Sequence, residues 1–314
     1  MQRELAPSIV FGMQYVGTGA WSQNSKIEQN DLPLADLANR QTVAQGGNAN
    51  LYRPYLGFSN ILQSTNPVNS NYNSLQTALR MEKRHGLSLQ LAYTWSHEID
   101  SQQQSQDLQT ASDPYNLRYD HGSGAFDRRN IFTANYVYDL PFFAHSGSYL
   151  ERAVAGGWTL SGVTVAETGS PLAGAGSQLN YNGPDVIGLG GNTTNRPNVV
   201  APVSYPHQQK AWFTQASFAA PAAPWTAAGA GGTGFGNAMK DAVTAPGLFN
   251  WNIALFKDVP IHEALHLQFR VETFNTFNHT EFNQVDGGSN DGNFGQVTST
   301  ADPRVFQFGA KFLF

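Results

Sequence analysis

The last eleven residues, RVFQFGAKFLF from Arg304 to Phe314, put Phe306, Phe308, Ala310, Phe312 and Phe314 on one parity and Val305, Gln307, Gly309, Lys311 and Leu313 on the other. Period-two alternation of this kind marks a strand lying between two different surroundings. In a soluble protein the aromatic rank packs on a core. In an outer-membrane barrel it faces lipid, and the alternate residues face the lumen.

The same rhythm recurs upstream. Leu265, Leu267, Phe269 and Val271 alternate with His266, Gln268, Arg270 and Glu272, and Leu87, Leu89, Leu91, Tyr93 and Trp95 with Ser88, Gln90, Ala92, Thr94 and Ser96. Leu75, Thr77, Leu79 and Met81 continue the pattern before His85-Gly86, a pair suited to a tight reversal. Segments near 128–140, 157–169 and 249–259 repeat it, at lengths that suit a tilted bilayer crossing better than an ordinary soluble strand. Connections alternate between short turns and long loops (about 99–127, 170–247 and 278–303), as periplasmic turns and extracellular loops do, which places the C-terminus in the periplasm. Residues 7–18 and 55–64 also read as strands, and parity then demands a concealed strand within 20–55. The expected fold is all-β, an antiparallel transmembrane barrel fragment of about nine to ten long strands forming a half-barrel or open curved sheet across residues 1–314. A β-sandwich, solenoid or lectin-like domain is the soluble alternative.

Composition agrees with the membrane reading. Charged residues make up only 13 % of the chain and aromatics 12 %, with a net charge of -5 and no basic cluster, which argues against a nucleic-acid partner. The absence of Cys removes disulfide scaffolds and thiol chemistry. No stretch is long and apolar enough for a membrane helix, and Met1 to Val10 lacks the apolar core of an export signal. A chain bound for the outer membrane needs such a signal, so the sequence is expected to be the C-terminal part of a longer one.

Several stretches together resemble the C-terminal half of the barrel of TonB-dependent outer-membrane receptors, most closely the subgroup with a carboxypeptidase-regulatory-like N-terminal domain. They are QREL (2–5), YVG (15–17), LRMEKRHGLSLQLAYTWSHEID (79–100) and FDRRNIFTANYVYDLPF (126–142), then FGNAMKDAVTAPGLFNWNIALFKDVPI (235–261), LHLQFRVETFNTFNHTEF (265–282) and FGQVTSTADPRVFQFGAKFLF (294–314). The resemblance implies uptake of a bulky, unidentified solute, with outer-membrane lipid around the wall and the TonB complex reached only through a plug domain outside this sequence. It also implies that the barrel-assembly machinery reads the last strand through Phe312 and Phe314. A non-transporting barrel for adhesion or surface organisation is the alternative.

Chemistry-bearing motifs read blandly. His262 to His266 spells HExxH, yet zinc hydrolysis needs both histidines on one helix, and Pro260 precedes a strand pattern here. Gly229, Gly231 and Gly234 fit GxGxxG without the strand and helix of a dinucleotide site, and read as a flexible extracellular loop. No catalytic residue, cofactor or metal is expected. Gln90, Arg270, Glu272, Gln307 and Lys311 are the candidate lumen-lining residues, expected to form cross-strand polar pairs. The loop with Asp113, Tyr115, Tyr119, Asp120, His121 and Asp127 either touches ligand at the outer mouth or is simply solvated.

Overall fold

The computed structural model describes residues 1–102, 109–143, 148–174, 177–262 and 265–314. Nine strands form one meander: β1 Gln2–Ala6, β2 Ile9–Glu28, β3 Leu62–Arg84, β4 Leu87–Asp100, β5 Asn130–Asp139, β6 Trp158–Glu167, β7 Leu248–His262, β8 Leu265–Phe274 and β9 Val305–Leu313. Every neighbouring pair is antiparallel, and β1 and β9 are free edges, so the sheet is open. The short strand Gly122–Ser123 adds to the far end of β4.

Turn chemistry fixes this register. His85 (φ 52°) and Gly86 (φ 83°) are left-handed in succession, the geometry whose twist matches a two-residue hairpin. Gly86 also has no room for a Cβ, which would lie 2.7 Å from the carbonyl oxygen of Asp139. Short connections at one end of the sheet (7–8, 85–86, 140–157 and 263–264) alternate with long ones at the other (29–61, 101–129, 168–247 and 275–304). In an outer-membrane barrel the long-loop end is the extracellular one.

Opposed residues in an antiparallel pair share a face, so the register carries one apolar face across the whole sheet. Phe11 opposes Leu79, Leu79 opposes Leu91, and Leu89 opposes both Met81 and Tyr136. Further along, Leu160 opposes Tyr138 and Leu255, Leu255 opposes Val271, and Val271 opposes Phe308. Gly162 lies under the ring of Tyr136, where a Cβ would come within 2.3 Å of the phenol oxygen. Among the described residues nothing covers this face: Trp95 is 52 % exposed and Phe308 74 %. Soluble monomers rarely leave so continuous an apolar surface bare, and such a surface marks contact with a membrane or another protein.

The apolar core lies elsewhere, in the long loops. Leu172, Leu179, Phe213, Ala238, Val243, Val285 and Phe294 pack together, with Phe213 edge-on to Phe218 and Phe294 at ring distances of 5.5 and 5.2 Å. The extracellular connections thus form a folded cap, while the sheet itself has no protein core.

One expectation is corrected. No strand is concealed within 20–55: residues 20–28 continue β2, and 29–61 carry a short helix, α1 Leu37–Ala44, and a single 3-10 turn at Ala49–Leu51. The parity conflict arose from reading 55–64 as a strand of its own: 55–61 belong to the connection, and 62–64 open β3, a 23-residue strand whose outer part is polar. With β3 whole and β1 paired to β2 through Pro7-Ser8, short and long connections alternate throughout.

Candidate functional site

β2 and β3 run past the ends of their neighbours, and the loop after β4 folds onto that extension. The backbone of Lys26 donates to Gln109 and accepts from Ala111, both at 2.9 Å, and Ser25 Oγ donates to the Gln109 carbonyl at 2.8 Å. Beneath this junction is a cavity of about 660 Å³, lined by Ser25, Val68, Asn69, Ser101, Ala111, Leu117, Arg118, Asp120, His121 and Met239. It sits at the extracellular mouth. Its floor is mixed, and the exposed Arg118 and His121 bring polar groups to its rim, with Ser101 Oγ 3.2 Å from His121 Nδ1.

Buried cations hold the walls of this mouth. Lys240 reaches across from the long loop before β7 to the Asp100 carboxylate and, at 2.9 Å, to the Gln102 carbonyl. Arg196 pairs with Asp120, donates to the Tyr119 carbonyl at 2.8 Å, and stacks its guanidinium 4.2 Å from the Tyr119 ring centre. Arg40 sits on α1, whose first turn is capped by Asp36, and donates to the carbonyls of Ile187 (2.8 Å), Leu34 (2.7 Å) and Thr233 (2.6 Å). Arg53 donates to Asn30 and Asn60 and closes on the carbonyl of Gly190.

The loop 109–129 is neither wholly a ligand rim nor simply solvated. Asp113 accepts from the backbones of Tyr115 (2.9 Å) and Asn116 (3.2 Å), and burial pushes its carboxyl up despite those donors. Asp127 accepts from the Glu98 backbone at 2.9 Å and pairs with Arg129 and His97. Tyr115 donates to the Leu32 carbonyl at 3.0 Å, and burial carries the Tyr119 phenol to about 12. Asp113 and Asp127 are spent on architecture, and of the loop's singled-out residues His121 and one edge of Asp120 reach the cavity.

Asp31 stands apart. It is buried, neither carboxylate oxygen has a hydrogen-bond partner among the described residues, and the backbone at Gly191 packs directly onto it. Burial first, then the nearby charges of Glu28 and Asp113, lift its carboxyl to about 7 against the pull of Arg53.

The register places Gln90, Arg270, Glu272, Gln307 and Lys311 on one face of the sheet, opposite to the apolar one. Gln90 opposes Arg80 and Asn135, Glu272 opposes Gln307, and Lys311 opposes Gln268. Arg270 donates to Gln268 at 2.6 Å and lies 5.2 Å from the Phe256 ring. Two hollows of about 630 and 480 Å³ lie on this polar side. Phe312 is 61 % exposed and the terminal Phe314 fully so.

His262 closes β7 opposite Leu265, and His266 lies in β8 opposite Pro260. Glu263 and Ala264 fall outside the described residues, but strand ends on either side leave no helix for the zinc pattern. Gly229, Gly231 and Gly234 lie in the cap, and Gly234 (φ 90°) packs on Val186 and Ile187, so this loop is anchored. The buried cations Arg40, Arg53, Arg196 and Lys240 were not legible beforehand, because most of their partners lie far away in sequence.

An open antiparallel meander with a bare apolar face, a polar reverse and its core in one set of loops defines the wall of a membrane barrel. The chain belongs to the outer membrane beta barrel domain family, matching it over residues 1–307, and its place is the bacterial outer membrane. A search of curated proteins gives no match. Among solved structures it is similar to the outer membrane transporter YddB from Escherichia coli, with 9 % identity and TM-score 0.49 over 100 % of this chain and 31 % of that one. It is similar also to P. aeruginosa FpvA bound to heterologous pyoverdines (10 %, TM-score 0.43, 99 % and 26 %) and to the FpvAI–pyocin S2 complex (11 %, TM-score 0.42, 99 % and 25 %). The chain spans a third or less of the length of each.

Proposed function

We propose that this chain forms part of the wall and mouth of a TonB-dependent receptor that takes up a bulky solute, energised through a plug domain. The observation that carries the reading is the cavity of about 660 Å³ at the extracellular mouth, a size typical of ligand sites, held between a strand extension and a loop braced by buried ion pairs. Such bracing lowers the ordering cost of binding. In this reading Gln90, Arg270, Glu272, Gln307 and Lys311 line the path below, and the resemblance to the carboxypeptidase-regulatory-like subgroup supplies the plug.

Cells carrying the full-length receptor are expected to deplete a bulky solute from complex medium that cells without the gene leave behind. Arg118→Ala with His121→Ala is expected to weaken binding of that solute by about tenfold, the effect of losing roughly one charge-assisted hydrogen bond, at unchanged surface abundance. Identical depletion with and without the gene would sink uptake and leave adhesion or surface organisation. Phe312 and Phe314 are proposed as the signal for barrel assembly. Deleting Phe314 is expected to lower insertion into the outer membrane, and normal assembly of the deletion refutes the assignment.

A further inference from the structure

The mouth cavity spends most of its polar groups on its own walls. Asp120 is the one acid on its lining among the described residues, and its carboxylate accepts from the Ser112 backbone at 2.8 Å and pairs with buried Arg196. Ser25 Oγ donates to the Gln109 carbonyl, and Asn69 Oδ1 accepts from the Ser22 backbone at 3.2 Å. Around them Val68 and Ala111, both buried, give an apolar surface with Pro67, Leu117 and Met239.

What remains unspent is a cation. Arg118 is exposed at the rim, and among the described residues its guanidinium has neither an ion pair nor a hydrogen bond. It sits in the 3-10 turn Leu117–Asp120, which is held on both sides of it: Leu117 lines the cavity, and Tyr119 gives its carbonyl and its ring face to Arg196. His121, just after the turn, spends Nδ1 on Ser101 and leaves Nε2 free. The backbone under Arg118 is thus fixed, while the five N–H groups of its side chain lack an acceptor.

A forked donor of this kind fits the two oxygens of a planar anion with parallel bonds, and the apolar surface beside it fits hydrocarbon. We infer that the ligand of this mouth is an organic anion with an apolar body, its charged oxygens on Arg118 and its body over Val68, Leu117 and Met239. A neutral oligosaccharide offers hydroxyls on every side, and most of this lining would leave them without partners. Calling the ligand the transported solute rests on the uptake reading; its chemical class rests on the cavity.

The test titrates the full-length receptor, in nanodiscs of neutral lipid, with naphthoyl-Leu-Leu as the free carboxylate and as its C-terminal amide. Naphthalene anisotropy is the readout, with empty nanodiscs subtracted. The carboxylate is expected to bind about tenfold more tightly than the amide, the effect of roughly one charge-assisted hydrogen bond. Arg118→Gln should remove the difference, and Arg118→Lys should keep part of it. Met239→Gln should weaken both probes by about threefold and leave their ratio unchanged. Heat-modifiable migration confirms that each variant is folded. Equal affinity of the two probes overturns the inference, as do a preference that survives Arg118→Gln and a failure of both probes to bind. Displacement of the carboxylate by maltoheptaose overturns it too, and so does displacement by equimolar acetate or inorganic phosphate, since the anion would then bind without a body. Depletion by cells is scored separately. Depletion with equal probe binding leaves uptake standing and removes the anionic ligand, whereas carboxylate-selective binding without depletion counts against uptake and supports the site.

Discussion

Arg196 and Asp120 are both buried and face each other across loops that are distant in sequence, so neither can lose its partner cheaply. Arg196→Ala leaves a carboxylate in a dry site and is expected to destabilise the cap by about 3–5 kcal/mol, read as earlier unfolding of the loops by hydrogen exchange. A loss within surface-mutation noise would contradict the pairing. Asp31 behaves in the opposite sense. Below about pH 4 it is protonated whether folded or not; between about 4 and 7 the unfolded loop releases its proton and the folded one keeps it, so stability falls with rising pH and levels off above about 7. Asp31→Asn is expected to abolish that fall, and to slow protease cleavage within residues 29–61 at pH 8 relative to the parent. A parent whose cleavage rate is flat from pH 5 to 8 speaks against it. Neither residue announced itself beforehand. A lone Arg or Asp in a polar loop looks solvated, and only the packing of 168–247 against 109–129 buries Arg196 and against 29–61 buries Asp31.

At the scale of strands, far more was readable. The alternating faces of β4, β8 and β9 emerge in the register as one continuous apolar face, because a pleat sends every second side chain the same way whatever the strand pairs with. β3 was misread for a physical reason as well: above the bilayer both its faces meet water, so alternation fades although the ladder continues. Leu91→Arg, in the middle of β4 on the apolar face, is expected to cost about 2–4 kcal/mol of folding into a bilayer, whereas Gln90→Arg next to it should cost little. Urea titration of refolding into vesicles separates them, and equal costs would show that the two faces have been assigned wrongly. The mouth cavity was less accessible to such reading, since it needs β2, β3, the 109–121 loop and Met239 to meet at one place.

The whole molecule combines two kinds of cohesion. The wall is held by backbone ladders and by lipid on its apolar side, whereas the cap has its own small core and buried charge pairs. Calorimetry of the full receptor in nanodiscs is expected to show the cap melting before the wall, and a single shared transition would mean that the two are not separate cooperative units. Their heights differ too. A tilted bilayer crossing takes about 10 residues, whereas β2 has 20, so at the same tilt this side of the wall stands roughly 20 Å proud of the hydrocarbon. An antibody or other reagent too large to penetrate the sugar coat of the cell should therefore meet the tip at residues 29–61 first, which makes that tip the natural epitope for following the protein on living bacteria.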